Sequence, residues 1–258
     1  MTKQAKRSPI FLDELSALEI KEITRRHGMV IFPIGATEQH GPHLPVNTDT
    51  LCCLEVAKRV SMNTGVPLSP PIYYGHSEEH RGFPGTFYIK PETMMAVIED
   101  ICTSMVESGF RKILILYGHL PNQWPIECAC DNLRHDLGQK CQIRAVRWSA
   151  YGTPGYMLSD SKVQFENSMG PHSGSGETSC VLHLRRDLVH LERIKDEPDV
   201  RTYFDYNTMQ VSRSGVSGRP SLGKAEKGKQ FVDLSIEGVT RLVRAQLKEK
   251  PRKSYNIH

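Results

Sequence analysis

The chain has 258 residues, 38% hydrophobic and 24% charged, with a formal net charge of +4. This composition excludes wholesale disorder and fits a single α/β domain spanning residues 1–258. Much of the basic excess falls in short end segments, about 1–9 and 249–258, read as solvated tails. With no basic stripe interleaved with aromatics, a nucleic-acid partner is not expected.

In chain order, the first strand signal is MVIFPIG, from Met29, followed by the polar loop that runs to Thr50. TDTLCCLEVAKRVSMNT reads as a helix capped by Thr48 or Asp49, and GVPLSPPIYY as a second strand. A polar, Gly-rich insertion, YGHSEEHRGFPGTFYI, comes next. KPETMMAVIEDICTSMVESG places Pro91 in a first helical turn and stops at Gly109. KILILYG is a strand, NQWPIECACDNLRHDLG a helix from Asn122 to Gly138, and CQIRAVRW a further strand. GETSCVLHLRRDL forms a short helix and VDLSIEGVTRLVRAQLKEK an amphipathic one. Between these two lies a long Gly/Ser-rich stretch, Val200 to Gln230, of a length that usually carries function or an interface. Alternating strands and helices predict a mainly parallel sheet covered on both faces, a three-layer α/β/α sandwich. In such sheets, sites form at the carboxyl ends of the strands.

Seven cysteines, an odd number without paired zinc spacing, read as buried free thiols in a reducing compartment. The polar start lacks a signal-peptide pattern and no apolar run is long enough for a membrane span, so a cytoplasmic protein without a membrane partner is expected.

The loop IGATEQHGPHLPVNTDT gathers Glu38, His40 and Asp49 directly after a strand. Pro42 and Pro45 bar a regular helix there. Carboxylate plus imidazole is the donor mix for zinc, manganese or iron. LILYGHLPNQ puts His119 after another strand, and GPHSGSGETS puts His172 and Glu177 in a turn that opens a helix. Each admits a plain structural reading: His119 as a cap, Glu177 as a first-turn carboxylate favoured by the helix dipole. Three strand-end turns with such groups argue instead for one shared site. Ser175 lacks the flanking glycines of a nucleophile elbow, and GSGETS lacks the third glycine of a dinucleotide fingerprint.

These stretches, with GHSEEHRGFPGTFYI and, more weakly, SGRPSLGKAEKGKQ, resemble in order the creatininase (creatinine amidohydrolase) family over almost the whole chain. The resemblance implies a homo-oligomer, a hexamer in that family, and a site with two divalent metal ions. Glu38, His40, Asp49 and His119 match ligand positions, with Asp49 as the bridge. The glutamate that creatininase proper carries two residues after the second-turn histidine is Pro121 here. Glu177 is the expected replacement, and creatinine itself becomes a less natural substrate. The implied reaction is hydrolysis of a C–N amide bond in a small polar metabolite, a cyclic amide or a formamide, by a metal-bound hydroxide. Alternatives are a hydrolase or peptidase acting on a modified peptide and a metal-binding homologue without turnover. Catalytic roles fall to Glu177 and to His172, the latter as proton donor to the leaving nitrogen. His80, Tyr117 and Trp148 are candidate pocket walls, with Glu79 paired to His80. His43 is expected to hold the loop and Trp124 to pack a helix; His76 has no assigned role.

Overall fold

The apolar runs set the layers. In β1 (Met29–Ile34), β2 (Lys112–Tyr117) and β3 (Gln142–Arg147), successive side chains point to opposite faces. Met29, Ile31, Leu114, Leu116 and Val146 enter one core, while Val30, Phe32, Ile34, Ile113, Ile115 and Ile143 enter another. The computed structural model describes residues 8–152, 172–197 and 207–250. Among these the strands form a parallel sheet in the order β1-β2-β3, with Met29 opposite Lys112 and Lys112 opposite Gln142.

Three helices cover the first face: α2 (Thr48–Thr64), α5 (Ser175–Arg185) and α6 (Ala225–Lys248). Val56, Val60, Val181, Phe231 and Val239 are their buried contribution. The other face is covered by α3 (Pro91–Glu107) and α4 (Gln123–Leu137), through Met94, Ile98, Ile126 and Leu133. This is the expected α/β sandwich. Six of the seven cysteines are buried, and Cys128 is exposed.

Several local expectations are corrected. GVPLSPPIYY is not a regular strand: Leu68 makes isolated bridges to Phe11 and Ile31, and Ile72 one to Ile34. Pro67, Pro70 and Pro71 remove the donors that a continuous ladder would need. Neither Thr48 nor Asp49 caps α2; its N-cap is Asn47, without a side-chain cap bond. That leaves the Asp49 carboxylate free to face elsewhere. α6 begins earlier than its apolar pattern suggested, at Ala225. A helix escaped the sequence reading, α1 (Ala17–Arg26), although Ser16 and Glu19 form a reciprocal capping box that SALE spells out. Of the stretch Val200 to Gln230, the part up to 206 lies outside the described residues. The remainder packs on its own chain: Ser217 and His172 exchange backbone hydrogen bonds of 3.2 and 2.9 Å.

The α5–α6 contact is close enough to demand glycine. A Cβ on Gly228 would stand 1.9 Å from the Ser179 carbonyl oxygen. Alanine normally stabilises a helix interior relative to glycine by about 1 kcal/mol. Here steric separation of α5 from α6 reverses the sign, and Gly228→Ala should lose about 1–3 kcal/mol of stability in urea unfolding.

Candidate metal centre

Two strand-end turns and the first turn of α2 converge. β1 leads into the loop with Glu38 and His40; β2 ends beside Gly118 and His119; α2 presents Asp49 from its first turn. Gly118 permits this approach, because a Cβ there would lie 2.5 Å from the Asp49 backbone carbonyl. His119 Nδ1 comes to 3.2 Å from Glu38 Oε1 and 3.4 Å from Asp49 Oδ2. His40 Nε2 lies 3.9 Å from both Asp49 Oδ2 and Glu177 Oε2, and 4.0 Å from Glu38 Oε1. Asp49 thus faces both imidazoles from one oxygen.

Hydrogen bonds on the far side of each ring fix which nitrogen faces inward. His40 Nδ1–H donates to the Glu38 carbonyl at 3.2 Å. His119 Nε2–H donates to the His76 carbonyl at 3.1 Å, with the Glu79 carboxylate at 3.2 Å. When neutral, both rings therefore present a lone pair to the cluster, the arrangement that outer partners impose on metal-binding histidines. Both Glu38 oxygens, His40 Nε2 and Asp49 Oδ2 are buried without a hydrogen-bond partner. Buried polar atoms are almost always paired, so a convergent set of orphaned acceptors fits a cation. Three donor groups are compact enough to hold an ion: His40, Asp49 and Glu177; Glu38, Glu79 and His119; and Glu38, His40 and His172. The first matches the implied ligand set. The second brings in Glu79, and the third brings in His172.

The electrostatics follow from this crowding. Burial disfavours a proton on His119, but the carboxylates of Glu38, Asp49 and Glu79 overcome it and raise its pKa well above the imidazole range. His40 is raised in the same way, against burial, by Asp49, Glu177 and Glu38. Burial opposes ionisation of Asp49, yet the close approach of His119 and the charge of His40 bring its pKa down to about 2. Glu177 is raised, first by burial and then by Asp49 and Glu38. Its Oε2 also accepts the Ser173 N–H at 2.6 Å, so the first-turn structural role coexists with its place in the cluster.

A cavity of about 380 Å³ opens onto these groups, lined by Glu38, Asp49, His119 and Glu177 and walled by His76, Glu79, His80 and His172. His80 is among these walls; Tyr117 and Trp148 are not. Tyr117 ends β2 on the parity that faces α3 and α4, and is buried in that core. Trp148 points to the opposite core, edge-on to Phe231 at 5.5 Å between ring centroids. Trp124, expected to pack a helix, is 63% exposed on the cavity rim with Leu120. Arg147, one residue before Trp148, lines the cavity and was missed; side-chain alternation decides between the two neighbours. Gln39 was also missed. Its buried side-chain amide donates to His80 Nδ1 at 2.9 Å and to the Gly215 carbonyl at 3.1 Å, and so orients the His80 ring. His43 holds the loop as expected, its Nε2 3.0 Å from Thr178 Oγ1.

Fold and donor set together define a divalent-metal hydrolase of the α/β sandwich class. The creatininase family model, described as creatinine amidohydrolase, matches residues 13–243, and the chain belongs to that family. It is 27% identical to creatinine amidohydrolase of Pseudomonas putida, with 92% of this chain and 97% of that protein covered. It is 29% identical to the mycofactocin precursor peptide peptidase of Mycobacterium ulcerans, covering 93% and 94%. A solved manganese creatininase superposes with a TM-score of 0.82 at 24% identity, over 93% of this chain and all of the other.

Two measurements follow from the orphaned acceptors. In EDTA-treated protein, Glu38→Gln should leave melting unchanged or raise it, since a buried charge without hydrogen bonds is removed. Manganese or zinc at about 100 times Kd should stabilise the unsubstituted protein by roughly 2.7 kcal/mol, and the variant far less. Protons on His40 and His119 compete with the ion, so calorimetry should find proton release on binding and weaker affinity as pH falls. His43 adds a separate pH effect. Burial, then the charge of His40, lowers its pKa to about 4. The unfolded chain thus binds the extra proton first, and stability should fall as pH drops from about 6.5 towards 4. In His43→Gln, metal-free denaturant titrations should show a shallower fall over that window.

Proposed function

We propose that this chain is a metal-dependent amidohydrolase that cleaves a C–N amide bond, cyclic amide or formamide, in a small polar metabolite. The observation carrying this reading is the convergence of the unpaired Glu38 and Asp49 oxygens on one cavity, with the unpaired His40 Nε2 within 4.0 Å of both. In this reading Glu38, His40, Asp49, His119 and Glu177 would hold two divalent ions, zinc, manganese or iron. Bound ions supply Lewis acidity for the scissile carbonyl and lower the pKa of the attacking water.

The chain's own groups manage the protons. His172 Nε2–H donates to the Gln39 carbonyl at 2.8 Å, which leaves Nδ1 facing the cluster, 3.8 Å from Glu38 Oε1. Burial, with His80 and His40 close by, lowers the His172 pKa well below the imidazole range. A neutral ring accepts before it donates. His172 Nδ1 takes the proton that the attacking water gives up, then passes it to the nitrogen as the C–N bond breaks. This refines the donor role read from sequence. Glu177 supplies the carboxylate missing at Pro121, which favours turnover over an inert metal-binding homologue. A cavity of about 380 Å³ suits a small molecule better than a peptide strand.

A homo-oligomer, hexameric by the family resemblance, is part of this reading. Tyr73, Tyr74 and Phe87 are exposed large hydrophobics that a neighbouring copy would cover. Among the described residues no helix is long and apolar enough to cross a membrane; a cytoplasmic site of action is proposed with the rest.

Metal analysis of Asp49→Ala should find both ions lost; retention of two would remove Asp49 from the bridge. His172→Ala should keep its metal and lose roughly 10²–10⁴-fold in kcat on small cyclic amides or formamides. Loss of metal alongside activity would make His172 a ligand or a ligand's support. Light scattering at micromolar concentration should find an assembly larger than one chain.

A further inference from the structure

Among the described residues, the cavity walls carry four carboxylates, Glu38, Asp49, Glu79 and Glu177, and one cationic side chain that is not an imidazole, Arg147. Arg147 closes β3 and stands opposite Tyr117 at the carboxyl edge of the sheet. Its Nε is buried without a hydrogen-bond partner, and its guanidinium makes no ion pair among the described residues. The Glu38 and Asp49 orphans of the wall are acceptors explained by a cation. Arg147 is a donor, and a cation cannot satisfy it. Guanidinium is a planar donor fork matched to carboxylate or phosphate.

Charge balance points the same way. This step rests on the two-ion reading proposed above. Two divalent ions would offset the four carboxylates, and among the described residues of the wall the charge of Arg147 is then left over. A neutral amide would leave both that charge and the buried Nε–H unanswered, which is costly. Beside Arg147, Trp124 and Leu120 offer an apolar rim, exposed by 63% and 44%.

We propose that Arg147 is the substrate-anion anchor of this site. The substrate is an amide that also bears an anionic group, carboxylate or phosphate, which Arg147 receives while the scissile carbonyl faces Glu38, Asp49 and His119. Arg147 acts as a specificity residue, with no part in bond cleavage.

The test uses a matched pair of cyclic amides, 5-oxoproline and its carboxamide, which differ in one negative charge. Calorimetric titration into zinc-loaded protein should find the carboxylate bound roughly tenfold or more tightly than the carboxamide, the range of a charged hydrogen bond. Arg147→Met should bind the two alike, with unchanged metal content, and Arg147→Lys should keep part of the preference. If Arg147→Met does not fold, Arg147→Gln, which keeps a polar side chain, replaces it. Equal binding by the unsubstituted protein would overturn the proposal. So would a preference that survives loss of the guanidinium, because the ions themselves would then hold the carboxylate. A phosphate-bearing formamide run beside its dephosphorylated form tests the phosphate source in the same way. Binding is read without turnover, so the two readings fail separately. A charge preference with no hydrolysis sinks the amidohydrolase reading alone; hydrolysis without preference sinks the anchor alone.

Discussion

Withdrawal of carboxylates from water without hydrogen bonds is the constraint around which this molecule is arranged. Glu38 is fully buried and neither of its side-chain oxygens is paired. Left alone, such a group would cost several kcal/mol or give up its charge. It persists because the whole sheet edge is organised around it: His40 and His119 point ring nitrogens inward, and Asp49 shares the same space. A rigid α/β core resists the relaxation that would otherwise let water or a side chain reach these atoms.

The second tier of contacts makes that arrangement definite. Glu79 and the His76 carbonyl hold one ring, and the Glu38 carbonyl holds another. Gln39 links His80 and Gly215, while the Gln39 carbonyl receives His172. Consecutive residues of one loop therefore serve different levels of the site. Glu38 and His40 face the cluster, and Gln39 between them turns outward to set the tautomers of the histidines that surround it. Such a division of labour needs an extended, Pro- and Gly-rich backbone in which neighbours point apart.

Much of this was legible in the chain. Short apolar runs marked β1, β2 and β3, as strands of a parallel sheet buried on both faces require. Glu38, His40, Asp49, His119 and Glu177 were legible because strand-end turns rich in Gly and Pro have few structural uses for so many donors. GVPLSPPIYY misled because apolar composition resembles a strand while its prolines cannot donate to a ladder. α1 was overlooked because its amphipathic stretch is short and exposed, with the capping box as its only distinct signal.

Sequence by itself determined the layer order, the donor chemistry and the family, because periodicity and residue type are local properties of the chain. Tertiary structure decided what depends on direction and distance. It sent Tyr117 and Trp148 into opposite cores and Arg147 into the cavity, although these residues close neighbouring strands. It also showed that Glu177 Oε2 reaches within 3.9 Å of His40 Nε2, where Pro121 offers no donor. Side-chain parity at a strand end, and the meeting of turns far apart in the chain, are set only when the sheet and its helices pack. No pattern of residue types along a single strand carries that information.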